Sequence, residues 1–187
     1  MFQTKKFRDF ENSNLFRIGP AGRLPDIRIS NLIRGDGMIR KAKLSDVKEI
    51  QRLIKLYSTL GDILPRSLVE LYDDLRDFYV FLQHRKVVGI CALHICWEDL
   101  TEIRSLAVDE KARGKGIGSK LVSACLKESK TLGAKKVFAL TYRPDFFAKL
   151  NFEVVDKSVL PHKIWADCLK CVKFPDCDEV AMVKELN

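Results

Sequence analysis

The chain has 187 residues, 47% of them hydrophobic, and a formal net charge of +8, which suits one globular domain with an appendage. The longest uncharged apolar stretch, Val87 to Trp97, is too short to span a bilayer. Residues 1–37 hold seven Lys/Arg against four Asp/Glu, and the other charges are interleaved without a basic run or an aromatic-basic stripe, which argues against nucleic acid as a partner.

Residues 1–37 contain Gly19-Pro20, Gly22, Pro25, Gly35 and Gly37 and keep no period, so they read as a loosely structured N-terminal extension. Leu24 to Ile33 alternates enough to suit an edge strand. Met1 to Phe10 lacks the apolar core of a secretory signal, so a cytoplasmic, soluble protein with no membrane partner is expected. A new pattern begins at Met38, and residues 38–187 read as the folded domain. Met38 to Ala42 is a first strand. Ser45 then caps a helix with Val47, Ile50, Leu53, Ile54 and Tyr57 on one face, and Gly61 breaks it. Ser67 and Glu70 make a capping box before a second helix with Leu68, Leu71, Tyr72 and Leu75. Phe78 to Leu82 is a strand, Arg85-Lys86 a turn, and Val87 to Ile95 and Thr101 to Val108 are two more strands. A helix from Ile117 to Leu132 places Ile117, Leu121, Val122 and Cys125 together, and Gly133 stops it. Lys136 to Thr141 is a buried strand, Pro144 to Leu150 a short helix and Asn151 to Val155 a strand. Leu160 to Leu169 suits a helix, and Glu179 to Leu186 closes the chain as a strand.

Between the strand ending Leu106-Ala107-Val108 and the helix starting at Ile117 lies Arg113-Gly114-Lys115-Gly116-Ile117-Gly118. A glycine-rich strand-to-helix turn leaves backbone N–H groups unpaired and pointing one way, with the helix dipole behind them. That is a seat for phosphate. Alternate glycines let the ligand come close, and Arg113 and Lys115 add charge. A Walker loop is excluded, because Ser119 stands where its second glycine belongs. A dinucleotide fingerprint is excluded too: its third glycine comes one residue early, and Val137 to Thr141 carries no acid.

The remaining pattern, Arg-Gly-x-Gly-x-Gly behind Leu-Ala-Val, resembles the pyrophosphate loop of the GNAT (Gcn5-related) N-acetyltransferases. The element order from Met38 to Leu186 is similar as well. The resemblance implies an α/β (α+β) GNAT fold: a mixed sheet of about six to seven strands, splayed at the cofactor cleft and flanked by about four helices. It implies acetyl-CoA as cosubstrate, held by Leu106, Ala107, Val108, Arg113, Gly114, Lys115, Gly116, Ile117, Gly118 and Ser119.

Within that family the chain is most similar to the acetyltransferase domain of N-acetylglutamate synthases, especially the short stand-alone bacterial kind. Leu64-Pro65-Arg66-Ser67, Cys91-Ala92-Leu93-His94, Glu102 to Val108, Val137 to Thr141 and Leu160-Pro161 carry this likeness. It implies Glu102 as general base, with Thr141 at the strand end also proposed for catalysis. It places a substrate carboxylate on Arg66, where a guanidinium fork matches the carboxylate. Arg104, Arg143 and Lys173 are weaker candidates for a second carboxylate, Arg104 first. Acetyl transfer to an amine needs such a base, which is worth about 10² to 10⁴ in rate. Glu98 and Asp99 are rivals to Glu102. Phe147 stands where many family members carry a tyrosine acid, and Tyr142 lies five residues earlier.

The expected acceptor is the α-amine of an amino acid, L-glutamate first, which belongs to arginine biosynthesis. The alternatives are another small amine, a protein N-terminus, or a non-enzymatic acetyl-CoA-binding module. A homodimer is compatible with the sequence. Cys91, Cys96 and Cys125 read as buried apolar residues in a reducing compartment. His162, Cys168, Cys171 and Cys177 have spacing that admits zinc, although the second pair lacks tidy finger spacing and packed thiols or a Cys171–Cys177 disulfide are favoured over metal.

Overall fold

A computed structural model describes residues 37–161, 168–169, 173 and 175–186. The expectations for residues 1–36 and for most of the helix over Leu160 to Leu169 lie outside these residues. The described residues contain seven strands and four α-helices: β1 (Met38–Lys41), α1 (Val47–Thr59), α2 (Leu68–Asp73), β2 (Phe78–Gln83), β3 (Lys86–Trp97), β4 (Leu100–Val108), α3 (Ile117–Thr131), β5 (Lys136–Thr141), α4 (Pro144–Ala148), β6 (Glu153–Val155) and β7 (Val180–Glu185). The strands form one sheet in the order β1-β2-β3-β4-β5-β7-β6. Every neighbouring pair is antiparallel except β4 and β5.

The two sheet faces are covered by different helices. Val47, Ile50, Leu53, Ile54 and Tyr57 of α1 are all buried, as their spacing predicts, and pack with Phe78, Val80, Ile90, Ala92 and Ala107. On the opposite face Ile117, Leu121, Val122 and Cys125 of α3 pack on Cys91, Leu93, Ile103, Val137 and Ala139. The Cys125 and Cys91 sulfurs lie 3.5 Å apart there, both fully buried free thiols. A buried hydroxyl pair, Thr101 to Ser129 at 2.8 Å, adds a polar link between β4 and α3.

Three local expectations are corrected. Ser45 does not cap α1. It lies within a short 3₁₀ turn, Leu44–Asp46, and the acceptor at this helix entrance is Asp46. Its carboxylate takes the Lys43 N–H at 2.7 Å and both Arg40 Nη groups at 2.5 and 3.0 Å. The second helix has its capping box, with Ser67 Oγ accepting from Glu70 N–H at 3.2 Å and Glu70 accepting from Ser67 N–H at 2.6 Å. Yet only Leu71 and Leu75 of its four expected apolar residues are buried. Leu68 and Tyr72 stay 42% and 48% exposed, and the helix ends at Asp73, so Leu75 is buried from the 3₁₀ turn that follows. The β2–β3 turn sits one residue earlier than expected, on His84 and Arg85, both at positive φ (48° and 64°). That pair of dihedrals is what a two-residue hairpin demands, because it matches the strand twist.

The Asp46 carboxyl is held below the usual carboxylate range, first by its bond from Arg40 and then by Lys43 N–H, against the effect of burial. A lowered native value means stability that is present above the unfolded-chain value and lost as pH falls through the lowered one. Asp46→Asn is therefore expected to cost about 2 kcal/mol at pH 7. That advantage of the wild type fades as pH falls through the lowered Asp46 value, so urea unfolding of both proteins at a series of pH values from about 7 down to about 2 checks both parts.

Candidate active site

The parallel pair β4–β5 holds for only three rungs: Leu100–Lys136, Thr101–Val137 and Glu102–Phe138. Beyond Glu102 the strands diverge. From Ile103 to Val108, β4 pairs with β3 on one side and has no strand partner on the other among the described residues. A bulge increases the departure. Ile90 pairs with Ala107 and Ala92 with Arg104, so Ser105 and Leu106 together face Cys91 alone. Ser105 takes φ 53°, a left-handed conformation uncommon outside glycine. The result is a cleft of about 900 Å³ entered between the two strand ends.

At one end of the cleft is the glycine loop. Gly114 and Gly116 have φ 76° and 71°, and a Cβ at either would meet nothing within 4 Å. Their glycine identity therefore answers to backbone conformation, with open space in front of them. Gly116 is the N-cap of α3 and no side chain caps that end. The first helical bond runs from Lys120 N–H to the Gly116 carbonyl at 3.0 Å, which leaves the N–H groups of Ile117, Gly118 and Ser119 without helical acceptors. A 15-residue helix stands behind them with its positive dipole end at the loop. Diphosphate chemistry fits this donor set.

The expected cofactor residues do not all stand in one place. Leu106, Ala107, Val108, Arg113 and Gly118 line the cleft. Gly114, Lys115 and Gly116 are exposed and outside its lining; Ile117 is a core residue, able to offer only backbone, and Ser119 is half-buried. Arg113 lies over the Tyr57 ring at 4.9 Å, while Tyr57 Oη donates to the Val108 carbonyl at 2.6 Å. The loop entrance is thereby tied to α1.

On the α1–α2 face of the same cleft lie Arg66, Glu102 and Arg104. The Glu102 side chain is 14% exposed, with Arg104 Nη1 at 3.8 Å and the Cys96 thiol at 3.9 Å. Arg66 and Arg104 converge on one carboxylate that the sequence reading missed, Asp74. Arg66 Nη2 donates to Asp74 Oδ2 and Arg104 Nη2 reaches the same oxygen at 3.3 Å. Arg66 Nη1 and Arg104 Nε are buried without partners among the described residues. Next to this group, His94 faces Glu102 across the β3–β4 pair and bonds Asp77 through Nδ1 at 2.7 Å. The rivals Glu98 and Asp99 sit in the β3–β4 turn, outside the cleft lining.

Thr141 ends β5 within the cleft and is buried; its Oγ1 accepts the Arg143 N–H at 2.9 Å, which fixes the oxygen and leaves its own proton to donate. Phe147 is buried edge-on between Phe146 and Phe152, so it packs the core and supplies no proton. Tyr142 donates to Asp178 at 3.0 Å. Burial raises its pKa. Arg143 lines the cleft but is largely exposed and pairs with Asp62, another lining residue, at 3.2 Å; Lys173 pairs with Asp178 at 3.1 Å outside the lining. A further carboxyl, Glu179, lines the opposite wall, where burial pushes its pKa up. Of the zinc candidates, Cys168 and Cys177 line the cleft, while His162 and Cys171 lie outside the described residues.

Comparison with known proteins agrees with this geometry. Residues 46–152 match the model of the acetyltransferase (GNAT) family. An uncharacterized N-acetyltransferase of Chlorobaculum tepidum is 40% identical over 151 residues, covering 81% of this chain and 97% of the relative. An amino-acid acetyltransferase of Mycobacterium tuberculosis is 39% identical over 64% of this chain and 70% of its own length. Among solved structures, Rv2747 of Mycobacterium tuberculosis, crystallised with CoA, has a TM-score of 0.71 and 30% identity, over 80% of this chain and 99% of that one. The N-acetylglutamate synthase of Neisseria gonorrhoeae, complexed with coenzyme A and N-acetyl-glutamate, has a TM-score of 0.76 and 24% identity. That comparison covers 82% of this chain but 36% of the synthase, and it speaks to the fold alone.

A mixed sheet opened between two parallel strands, with an amide seat at its helix entrance, suits a transferase that takes CoA, and the matched family and the CoA-bound structure agree. The chain belongs to the GNAT family of acetyltransferases, and it is an enzyme of that family. No described helix is long and apolar enough to cross a membrane.

A side chain at Gly116 would have to adopt φ 71°, which costs about 1 to 2 kcal/mol. Gly116→Ala is expected to raise the KM for acetyl-CoA about tenfold and leave the KM for the acceptor within twofold. Initial rates with each substrate varied in turn test this.

Proposed function

We propose that this enzyme transfers the acetyl group of acetyl-CoA to the α-amine of an amino acid, L-glutamate before others. It would then act as an N-acetylglutamate synthase in arginine biosynthesis, in the cytoplasm. The observation that carries the reading is the pair of half-buried arginines, Arg66 and Arg104, on the wall that also holds Glu102. Such a pair favours an acceptor bearing a carboxylate, because guanidinium edges match a carboxylate in geometry as well as in charge. The names of several relatives, amino-acid acetyltransferases of Mycobacterium tuberculosis and Neisseria meningitidis among them, support the same class of acceptor.

The cofactor's diphosphate would rest on the α3 N-terminal amides, and its thioester arm would enter where β4 leaves β5. Glu102 takes a proton from the acceptor ammonium. The freed amine nitrogen bonds to the acetyl carbon, the C–S bond breaks, and the electron pair leaves with sulfur as thiolate. The Thr141 hydroxyl, held by Arg143 N–H, is placed to donate to that sulfur or to the carbonyl oxygen. Phe147 offers no acid, so the second proton of the attacking nitrogen, released as the amide forms, reaches the thiolate through the Thr141 hydroxyl or water, which gives one proton to sulfur and takes one from nitrogen.

Glu102→Gln is expected to lower kcat by about 10² to 10⁴ with CoA binding unchanged by calorimetry. Arg66→Ala is expected to raise the KM for glutamate far more than that for acetyl-CoA. A panel of amino acids and amines, assayed by release of free thiol, tests the acceptor. Preference for a polyamine or a peptide N-terminus over every acidic amino acid would sink the glutamate reading.

A further inference from the structure

We infer that Asp74 is a positioning residue for the acceptor's carboxylate: it binds the Arg66 and Arg104 guanidinium groups together, so that their unspent N–H edges form one carboxylate-binding site. The inference rests on the reading that the cleft takes a carboxylate-bearing acceptor, and it names the device that makes such a site.

Two guanidinium groups close enough to share an oxygen repel each other. Asp74 Oδ2 takes Nη2 of Arg66 and Nη2 of Arg104 at once, which offsets that repulsion and fixes both planes. Neither fork is used up. Arg66 keeps Nη1 and Arg104 keeps Nε, and both atoms are buried without a partner among the described residues. A buried N–H donor left unmade costs about 1 to 3 kcal/mol, so two such donors on guanidinium groups that share one carboxylate oxygen are a strong demand for an acceptor group. A carboxylate answers it, because its two oxygens match guanidinium edges in a bidentate manner. Glu102 does not fill the role, since it stands 3.8 Å from Arg104 Nη1, beyond hydrogen-bond reach. The arrangement also positions the base: Arg104, held at its other end by Asp74, keeps its Nη1 edge beside Glu102, so the bound acceptor and the proton acceptor are spaced by one side chain.

Asp74 belongs to α2 only as its C-terminal cap, where its N–H bonds the Glu70 carbonyl at 3.0 Å. Its carboxylate is thus not needed to end the helix, and it can be altered separately from that bond.

Charge counting and positioning predict opposite results for Asp74→Asn. If Asp74 were only a negative charge in the cleft, or a stand-in that the substrate displaces, removing it would tighten carboxylate binding. If it positions the two forks, removing it loosens binding. The test titrates glutarate, an amine-free dicarboxylate, into wild type, Asp74→Asn and Asp74→Glu by calorimetry in the presence of CoA. Expected are binding to wild type, a loss of about tenfold or more in Asp74→Asn, and partial recovery in Asp74→Glu, with CoA affinity unchanged throughout. Equal or tighter glutarate binding by Asp74→Asn overturns the inference, as does absence of glutarate binding to wild type at 20 mM (a ceiling of about that order for a weak carboxylate site). Nitrogen-15 spectra of the arginine side chains in wild type supply a readout that needs no variant to fold. Addition of glutarate is expected to shift a protected Arg Nε–H signal, and an unmoved spectrum counts against the site. Glutarate binding with no acetylation of glutamate would remove the glutamate reading alone and leave the role of Asp74 standing.

Discussion

A backbone left unpaired governs this molecule. Strands β4 and β5 share three rungs and then separate, so one edge of β4 from Ile103 to Val108 carries N–H and C=O groups with no strand to bond among the described residues. Buried backbone polar groups without partners are expensive, and a fold keeps them only where something else meets them. Here the separation makes the cleft, and the bulge at Ser105 and Leu106 turns that edge into it. The Gly116 end of α3 adds a second set of unpaired amides at the same opening. The rest of the structure holds this opening in shape: α1 and α2 seal one face, α3 and α4 the other, and β7 braces β5 through six rungs.

The polar wall follows from the same divergence. Glu102 is the last residue of β4 that pairs with β5, so it stands where the sheet begins to open. Arg104 is two residues along and shares its face. Arg66 and Asp74, on either side of α2, close the group from above the sheet. The charges that recognise a ligand and the carboxylate that moves a proton thus sit on neighbouring, rigid elements. Little rearrangement is needed to bring them together.

Much of this could be read in the sequence, for physical reasons. The α1 face was legible because five apolar residues recur at helical spacing, and all five are buried. The glycine loop was legible because alternate glycines between a strand and a helix have few other uses. Ser67 and Glu70 announced the second helix because both halves of a capping box are sequence-local. The failures are equally local. Ser45 looks like a cap by type, but Asp46 one residue later makes the stronger, charge-assisted bonds to Arg40 and Lys43. Nothing about Ser105 marks a left-handed residue, since the bulge arises from pairing between distant strands. Asp74 is one half of an Asp-Asp pair at a helix end, unremarkable until Arg104, 30 residues away, arrives beside it. Pairings between distant segments leave no mark on one stretch of chain.

The two touching sulfurs between α3 and the sheet have a use of a different kind. Cys91 is held well above the ordinary thiol pKa, first by the Cys125 contact and then by burial, and no solvent reaches either atom. A thiol-seeking dye can label them only when α3 lifts away, so their labelling speed is a stopwatch for that motion. Because the start of the same helix carries the phosphate seat, a molecule clasped there should slow the stopwatch. Two inert cysteines thereby turn a binding event at the surface into a chemical rate read from the interior.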